Sequence, residues 1–124
     1  MPSRLLAVLA LVLLAALLPA AAADAKPKRC KSADLRYPFQ PGGPNDFGVF
    51  KLRITGGSCT TAHRVARDWM DKFEGELLRG HLRLPRKVSG FRFKTLPANE
   101  AQTFNERGTR GATTIRFDYR VPNG

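Results

Sequence analysis

This sequence has little of what most enzymes and metal proteins use for their chemistry. Its 124 residues contain only two cysteines, two histidines and one tryptophan. The cysteines form no C-x-x-C pair and the histidines no H-x-x-x-H pair, whereas a zinc site needs about four converging ligands. We therefore expect neither a metal ion nor a cofactor in this protein.

Acidic residues are scarce as well. The chain has 10 Asp and Glu against 21 Lys and Arg, which gives a formal net charge of +11. Four of the carboxylates (Asp68, Asp71, Glu74 and Glu76) share a predicted helix with basic residues, which is typical of a solvated helix face and not of a glycosidase carboxylate pair. The positive surplus favours anionic partners, and it leaves open an envelope polymer, a membrane surface or an acidic protein.

The longest apolar run lies near the N-terminus and is too short to span a membrane. Residues 5–18 contain only Leu, Ala and Val, with Arg4 before them and Pro19 after them. A spanning helix needs about 20 apolar residues, whereas this pattern followed by small residues is typical of a secretory signal peptide. We predict a signal peptide over residues 1–23, cleaved after Ala23 or Ala25, and a secreted or extracytoplasmic protein without a transmembrane span.

The two cysteines both lie in the segment that would be exported. An oxidising compartment favours a disulfide between Cys30 and Cys59. Closing a loop of this size contributes roughly 3 to 4 kcal/mol of stability if the effect is chain entropy. We expect this disulfide to be structural.

The rest of the chain is long enough for one domain. Residues 24–46 begin with a cluster of Lys and Arg and continue into a segment rich in Pro and Gly, which predicts an exposed basic arm followed by a loop. Residues 47–121 carry the periodic patterns of regular structure, so we assign the folded domain to them.

Apolar and polar residues alternate in three segments of this domain, which predicts three half-buried strands. In the first segment, Phe50, Leu52 and Ile54 are expected to face the core. The segments are Phe47–Thr55, residues 88–94 and residues 113–121.

A helix is predicted directly after the first strand. Gly56 and Gly57 stop the strand, and Ser58 is a suitable N-cap because its hydroxyl can accept a hydrogen bond from the first turn. Apolar residues then recur at spacings of three and four. The helix is expected to end at Gly75 or to continue to Leu78.

Residues 97–111 contain prolines, glycines and polar residues, which predicts a loop or an irregular hairpin connection. The expected fold is therefore α+β in two layers, with one main helix on a small antiparallel sheet in the order β-α-β-β and one disulfide. On such a sheet, the face turned away from the helix would be strongly cationic and would form a surface for an anionic partner. Its basic residues would be Lys51, Arg53, Arg92, Lys94, Arg116 and Arg120.

The chain contains two short motifs, Gly57-Ser58-Cys59 with the helix start that follows it and Gly90-Phe91-Arg92-Phe93. Both resemble the motifs of a broad group of small secreted bacterial proteins of unknown function. The resemblance covers roughly residues 47–119, and it implies a fold and an exported location but no activity. Phe93 stands where the group has its third cysteine, so the group's second disulfide is absent here.

The remaining motifs do not define a reaction. The Gly56–Thr60 segment is similar to a nucleophile elbow, but Thr60 replaces the second glycine. The Arg-Gly segment at residues 107–111 occurs only once, and we expect no specific nucleic-acid binding. We interpret the chain as a secreted cationic module that binds an anionic partner without catalysis, and the alternative is a small secreted hydrolase.

Overall fold

A computed structural model of the chain describes residues 26–122. The predicted signal peptide and both candidate cleavage sites lie outside these residues. The described part forms an antiparallel sheet, one long helix and a short 3-10 turn at Ala33–Leu35. The elements are β1 (Lys28–Arg29), β2 (Arg36–Tyr37), β3 (Phe47–Thr55), α1 (Cys59–Leu78), β4 (Lys87–Val88), β5 (Phe91–Leu96), β6 (Thr103–Arg110) and β7 (Thr113–Arg120).

The sheet has seven strands in the order β1-β3-β7-β6-β5-β4, and β2 pairs with the other half of β3. Every strand pair is antiparallel. The α+β class is therefore confirmed, and so is the disulfide between Cys30 and Cys59. The predicted size of the sheet is wrong: the fold is dominated by its sheet, and is not a small β-α-β-β sheet under a main helix.

Part of the missing sheet comes from residues 97–111, where a loop or irregular connection was expected and β6 is found. The strand is hidden in the sequence because Phe104 is its only clearly apolar inward residue, whereas the next two inward positions are Glu106 and Gly108, which are both buried. Gly108 lies under the ring of Phe93, and a Cβ at this position would be 2.5 Å from Phe93 Cζ. The aromatic ring of β5 therefore fills the space that a side chain on β6 would occupy.

The single strand predicted at residues 88–94 is wrong, because a turn at Ser89 and Gly90 divides it into β4 and β5. The other two additional strands come from the predicted basic arm and loop. In that segment, β1 and β2 both pair with the outer edge of β3. Between them, Leu35 is buried and the hydroxyl of buried Ser32 donates a 2.9 Å hydrogen bond to the carbonyl of Val49. Residues 28–37 are therefore held against the domain.

The helix α1 begins and packs as its sequence predicts. The Ser58 side chain accepts a hydrogen bond from the backbone N–H of Thr61 at 3.2 Å, and the helix ends at Leu78, the longer of the two expected ends. Its buried side packs on the sheet through an aromatic cluster. In that cluster, the Trp69 ring centroid lies 5.3 Å from Phe73 and 5.2 Å from Phe117.

A bulge in β3 changes the direction in which Phe50 points. The register between β3 and β7 shifts between Phe50 and Arg53, and Lys51 has a φ of 54°. As a result, Val49 and Leu52 are both buried, whereas Phe50 is only half-buried and pairs with Asp118 on the side away from the helix. The expectation that Phe50 faces the core is wrong, because one extra residue in a strand reverses the alternation.

Candidate anion-binding surface

The face of the sheet turned away from α1, here called the outer face, is defined by the alternation in β7. Ile115, Phe117 and Tyr119 are fully buried toward the helix. Side chains of a strand alternate between its two faces, so Arg116 and Asp118 lie on the outer face. The register of the neighbouring strands then determines which residues share this face with them.

Five basic residues on five adjacent strands lie directly beside one another on this face. Arg29 pairs with Arg53, Arg53 with Arg116, Arg116 with Arg107, and Arg107 with Lys94. We call these five residues the cation row. Neighbouring strands are about 4.8 Å apart, so the row extends roughly 19 Å across β1, β3, β7, β6 and β5.

The cation row has little internal compensation. Among residues 26–122, no carboxylate lies within 4.0 Å of a cationic nitrogen of the row. Partial burial and the nearby charges of Arg116 and Arg29 lower the pKa of Arg53, while Asp118 opposes this shift. Like charges placed directly opposite each other in a sheet are destabilising, so the row costs stability and does not contribute to it.

The structure distributes the six predicted surface residues over the outer face in three environments. Arg53, Lys94 and Arg116 belong to the cation row, and Arg92 lies beside it, opposite Thr109. The other two are closer to carboxylates: Lys51 Nζ is 3.8 Å from Asp118 Oδ2, and Arg120 Nη2 is 3.5 Å from Glu100 Oε2.

The sequence does not predict two members of the cation row, Arg29 and Arg107. It places Arg29 in the basic arm and Arg107 in the loop at residues 97–111. A signal for Arg107 exists in the alternation of Arg107 and Thr109 with Glu106 and Gly108. This alternation does not predict a strand by itself, because the inward positions 106 and 108 are not apolar.

Hydroxyl groups flank the cation row on one side. Thr55 pairs with Thr114, and Thr114 pairs with Thr109, so three threonines lie side by side on β3, β7 and β6. We call them the threonine row. Each precedes or follows a row cation by two residues, which places the two rows about 7 Å apart.

The other side of the cation row is occupied by an aromatic ring and a loop. The guanidinium carbons of Arg36 and Arg120 lie 4.2 and 4.3 Å from the ring centroid of Phe50. The loop between β5 and β6 borders a depression of about 210 Å³ with Lys51, Arg53 and Asp118.

A second depression lies at the β1 end of the cation row, in the gap between β1 and β2. It has a volume of about 450 Å³, and four of its six lining residues are basic. Those four are Arg29, Arg36, Lys51 and Arg53.

The main perturbed carboxyl group of the protein lies on the opposite side of the sheet. Glu106 is fully buried under α1, and burial raises its pKa to about 7, although Thr95 and the nearby Trp69 indole partly oppose this. Thr95 Oγ1 donates a 3.1 Å hydrogen bond to Glu106 Oε1. Glu106 Oε2 has no hydrogen-bond partner among the described residues. This carboxyl is therefore a core group with one unsatisfied oxygen, and the sheet separates it from the outer face.

Residues 26–122 contain no cluster of three or more His, Cys, Asp or Glu side chains placed to hold a metal ion. Over the same residues, no helix is both long and apolar enough to cross a membrane.

Comparison with protein-family models, with curated proteins and with solved structures finds no significant match to this chain.

Proposed function

We propose that this protein is an exported binding module without catalytic activity, and that it recognises an anionic partner through the outer face of its sheet. The cation row is the observation that carries the proposal. Five positive charges occupy adjacent strands with no carboxylate of the described residues within ion-pair distance. An anionic partner would relieve the repulsion that the row causes in the free protein.

The surroundings of the row support the same proposal. The strands fix the backbone of all five residues, so the charges are presented in one line. Arg29, Arg107 and Lys94 are exposed, whereas Arg53 and Arg116 are half-buried. The disulfide between Cys30 and Cys59 supports the proposed export, because disulfides persist in oxidising compartments. Nothing in residues 26–122 favours the alternative of a hydrolase.

The proposal can be tested by measuring retention of the exported protein on three anionic matrices at low and high salt. The matrices are polyglutamate, phosphatidylglycerol vesicles and polygalacturonate. We expect salt-sensitive binding to at least one of them, because screening weakens contacts between exposed charges. Absence of salt-sensitive retention on all three would refute the proposal.

Two double variants, each of which removes two positive charges, test where the binding surface lies. K94Q/R107Q removes two charges from the cation row, and R64Q/R67Q removes two exposed charges from α1. The first variant should lose at least about tenfold in affinity, equivalent to about 1.4 kcal/mol, and the second less than about twofold. Equal losses in the two variants would show that net charge alone drives binding and that the row is not a site.

A further inference from the structure

The arrangement of charges on the outer face bears on the chemistry of the partner. The cation row is one residue wide and five strands long. A linear polymer lying across the strands can meet all five charges in succession, whereas a single small anion can contact only two or three of them. The row therefore fits a chain of regularly spaced negative charges.

The threonine row indicates what else this polymer carries. Thr55, Thr114 and Thr109 run parallel to the cation row, and each hydroxyl can donate one hydrogen bond and accept others. A polymer that lies along the cations therefore has a second line of polar contacts beside it. Sugar hydroxyls, which also both donate and accept, are suited to these contacts.

We propose that the outer face binds a linear polysaccharide bearing uronate carboxylates, with the carboxylates on the cation row and the sugar hydroxyls on the threonine row. This inference depends on the proposed function and specifies its partner. An extended chain of pyranose rings advances per ring by nearly the spacing of adjacent strands, which is about 4.8 Å. Neighbouring rings are rotated about the chain axis, so some of the carboxylates face the row and are within reach of its long side chains. Guanidinium groups bind such carboxylates with two parallel hydrogen bonds.

The structure favours this partner over single-stranded nucleic acid. Binding of single strands relies on aromatic side chains on which bases stack. The aromatic residues of β5 and β7, including Phe91, Phe93 and Phe117, are buried on the helix side. Phe50, which does reach the outer face, already lies against the guanidinium groups of Arg36 and Arg120.

An acidic peptide and a membrane fit less well. A peptide gains much of its affinity by adding a strand to a free sheet edge, and the cation row lies on a face. A membrane-binding surface combines basic residues with exposed apolar ones. The exposed Leu78 and Leu82 lie in and after the last turn of α1, outside the strands that carry the row.

The experiment compares the exported protein with a T109V/T114V variant, which removes two hydroxyls and keeps the shape of the side chains. The probes are oligogalacturonates of increasing length, polyglutamate, polyphosphate and single-stranded RNA. We expect T109V/T114V to lose about 5- to 10-fold in affinity for oligogalacturonate, because two hydrogen bonds are lost, and less than about twofold for polyglutamate and polyphosphate. Affinity for oligogalacturonate should rise steeply up to about four or five rings, which is the length of the row.

The outcomes separate this inference from the proposed function. Suppose that polyglutamate, polyphosphate or RNA binds, that K94Q/R107Q weakens this binding, and that oligogalacturonate does not bind. The proposed polysaccharide partner is then wrong, and the proposed anion-binding function is supported. If T109V/T114V changes the affinity for every probe by the same factor, the proposed polysaccharide partner is also wrong. If no probe binds and phosphatidylglycerol vesicles do not retain the protein either, both proposals fail. If the double variant is unstable, the single variant T114V replaces it in the comparison of affinities for the probes. Its circular dichroism spectrum checks that it is folded.

Discussion

Arg53 of β3 and Arg116 of β7 lie directly opposite each other in the sheet, and the side chains of both point away from α1. Both are half-buried, and neither has a carboxylate of residues 26–122 within 4.0 Å. Two guanidinium groups in this position repel each other in the free protein. A bound anion would relieve this repulsion. The pair therefore lowers the stability of the free protein and favours binding of an anion.

The first prediction concerns the effect of repulsion within the cation row on stability. R107Q removes the charge next to Arg116 and should raise the free energy of unfolding by about 0.5 kcal/mol at low salt. The gain should shrink at high salt, where repulsion is already screened. Urea unfolding at two salt concentrations measures it, with R64Q on the exposed side of α1 as the control. A destabilised R107Q at low salt would contradict the unfavourable character of the row.

The cation row also shows how far the sequence predicts the site. Alternating apolar residues identified β3, β5 and β7, and therefore the outer-face positions of Arg92, Lys94 and Arg116. The row itself depends on register, which no single segment contains, because each strand aligns only through its partners. The bulge at Lys51 was equally hidden: the spacing of Phe50, Leu52 and Ile54 is regular, and only pairing with β7 shows that Phe50 leaves the pattern.

The second prediction concerns Glu106. Its folded pKa of about 7 lies above the ordinary value of 4.5, so the folded protein keeps a proton that the unfolded chain has lost between these pH values. The contribution of Glu106 to stability is therefore complete below about pH 4.5 and is lost as the pH rises to about 7. The loss amounts to about 3 kcal/mol.

E106Q tests this directly because a glutamine is neutral at every pH. At pH 8, E106Q should be more stable than the wild type by up to about 3 kcal/mol, and at pH 4 the two should be similar. Denaturant unfolding across this pH range measures the difference, and D71N on the exposed side of α1 provides the control. If the wild type and E106Q differ by the same amount at pH 4 and pH 8, Glu106 does not titrate in this range.

The third prediction concerns the ring of Phe50. F50L keeps an apolar side chain and removes the aromatic face that contacts Arg36 and Arg120. Loss of two cation–π contacts should cost about 1 to 2 kcal/mol in unfolding free energy. F39L is a suitable control, since Phe39 is 63% exposed, and it should change stability by less than about 0.5 kcal/mol. Equal effects of F50L and F39L on stability would show that the contacts of the two arginines with the Phe50 ring do not stabilise the protein.

The fourth prediction contrasts two glycines. G108A places a Cβ 2.5 Å from Phe93 Cζ, so the ring must move, and we expect a loss of about 1 to 3 kcal/mol. Gly75 lies in α1, and a Cβ added there would be 3.9 Å from Arg79 Nη2, so G75A should stabilise the protein by about 0.5 to 1 kcal/mol. Thermal unfolding of the two variants measures whether each substitution lowers or raises stability. A stable G108A would mean that Phe93 can leave its position over β6 without cost.

The disulfide has a consequence for the binding surface as well as for stability. Cys30 directly follows Arg29, and its bond to Cys59 connects β1 to the first turn of α1. β1 is also paired with β3, so the disulfide is a second restraint on the strand that carries the first charge of the row. Arg29 is therefore fixed from two directions, by the neighbouring strand and by the helix.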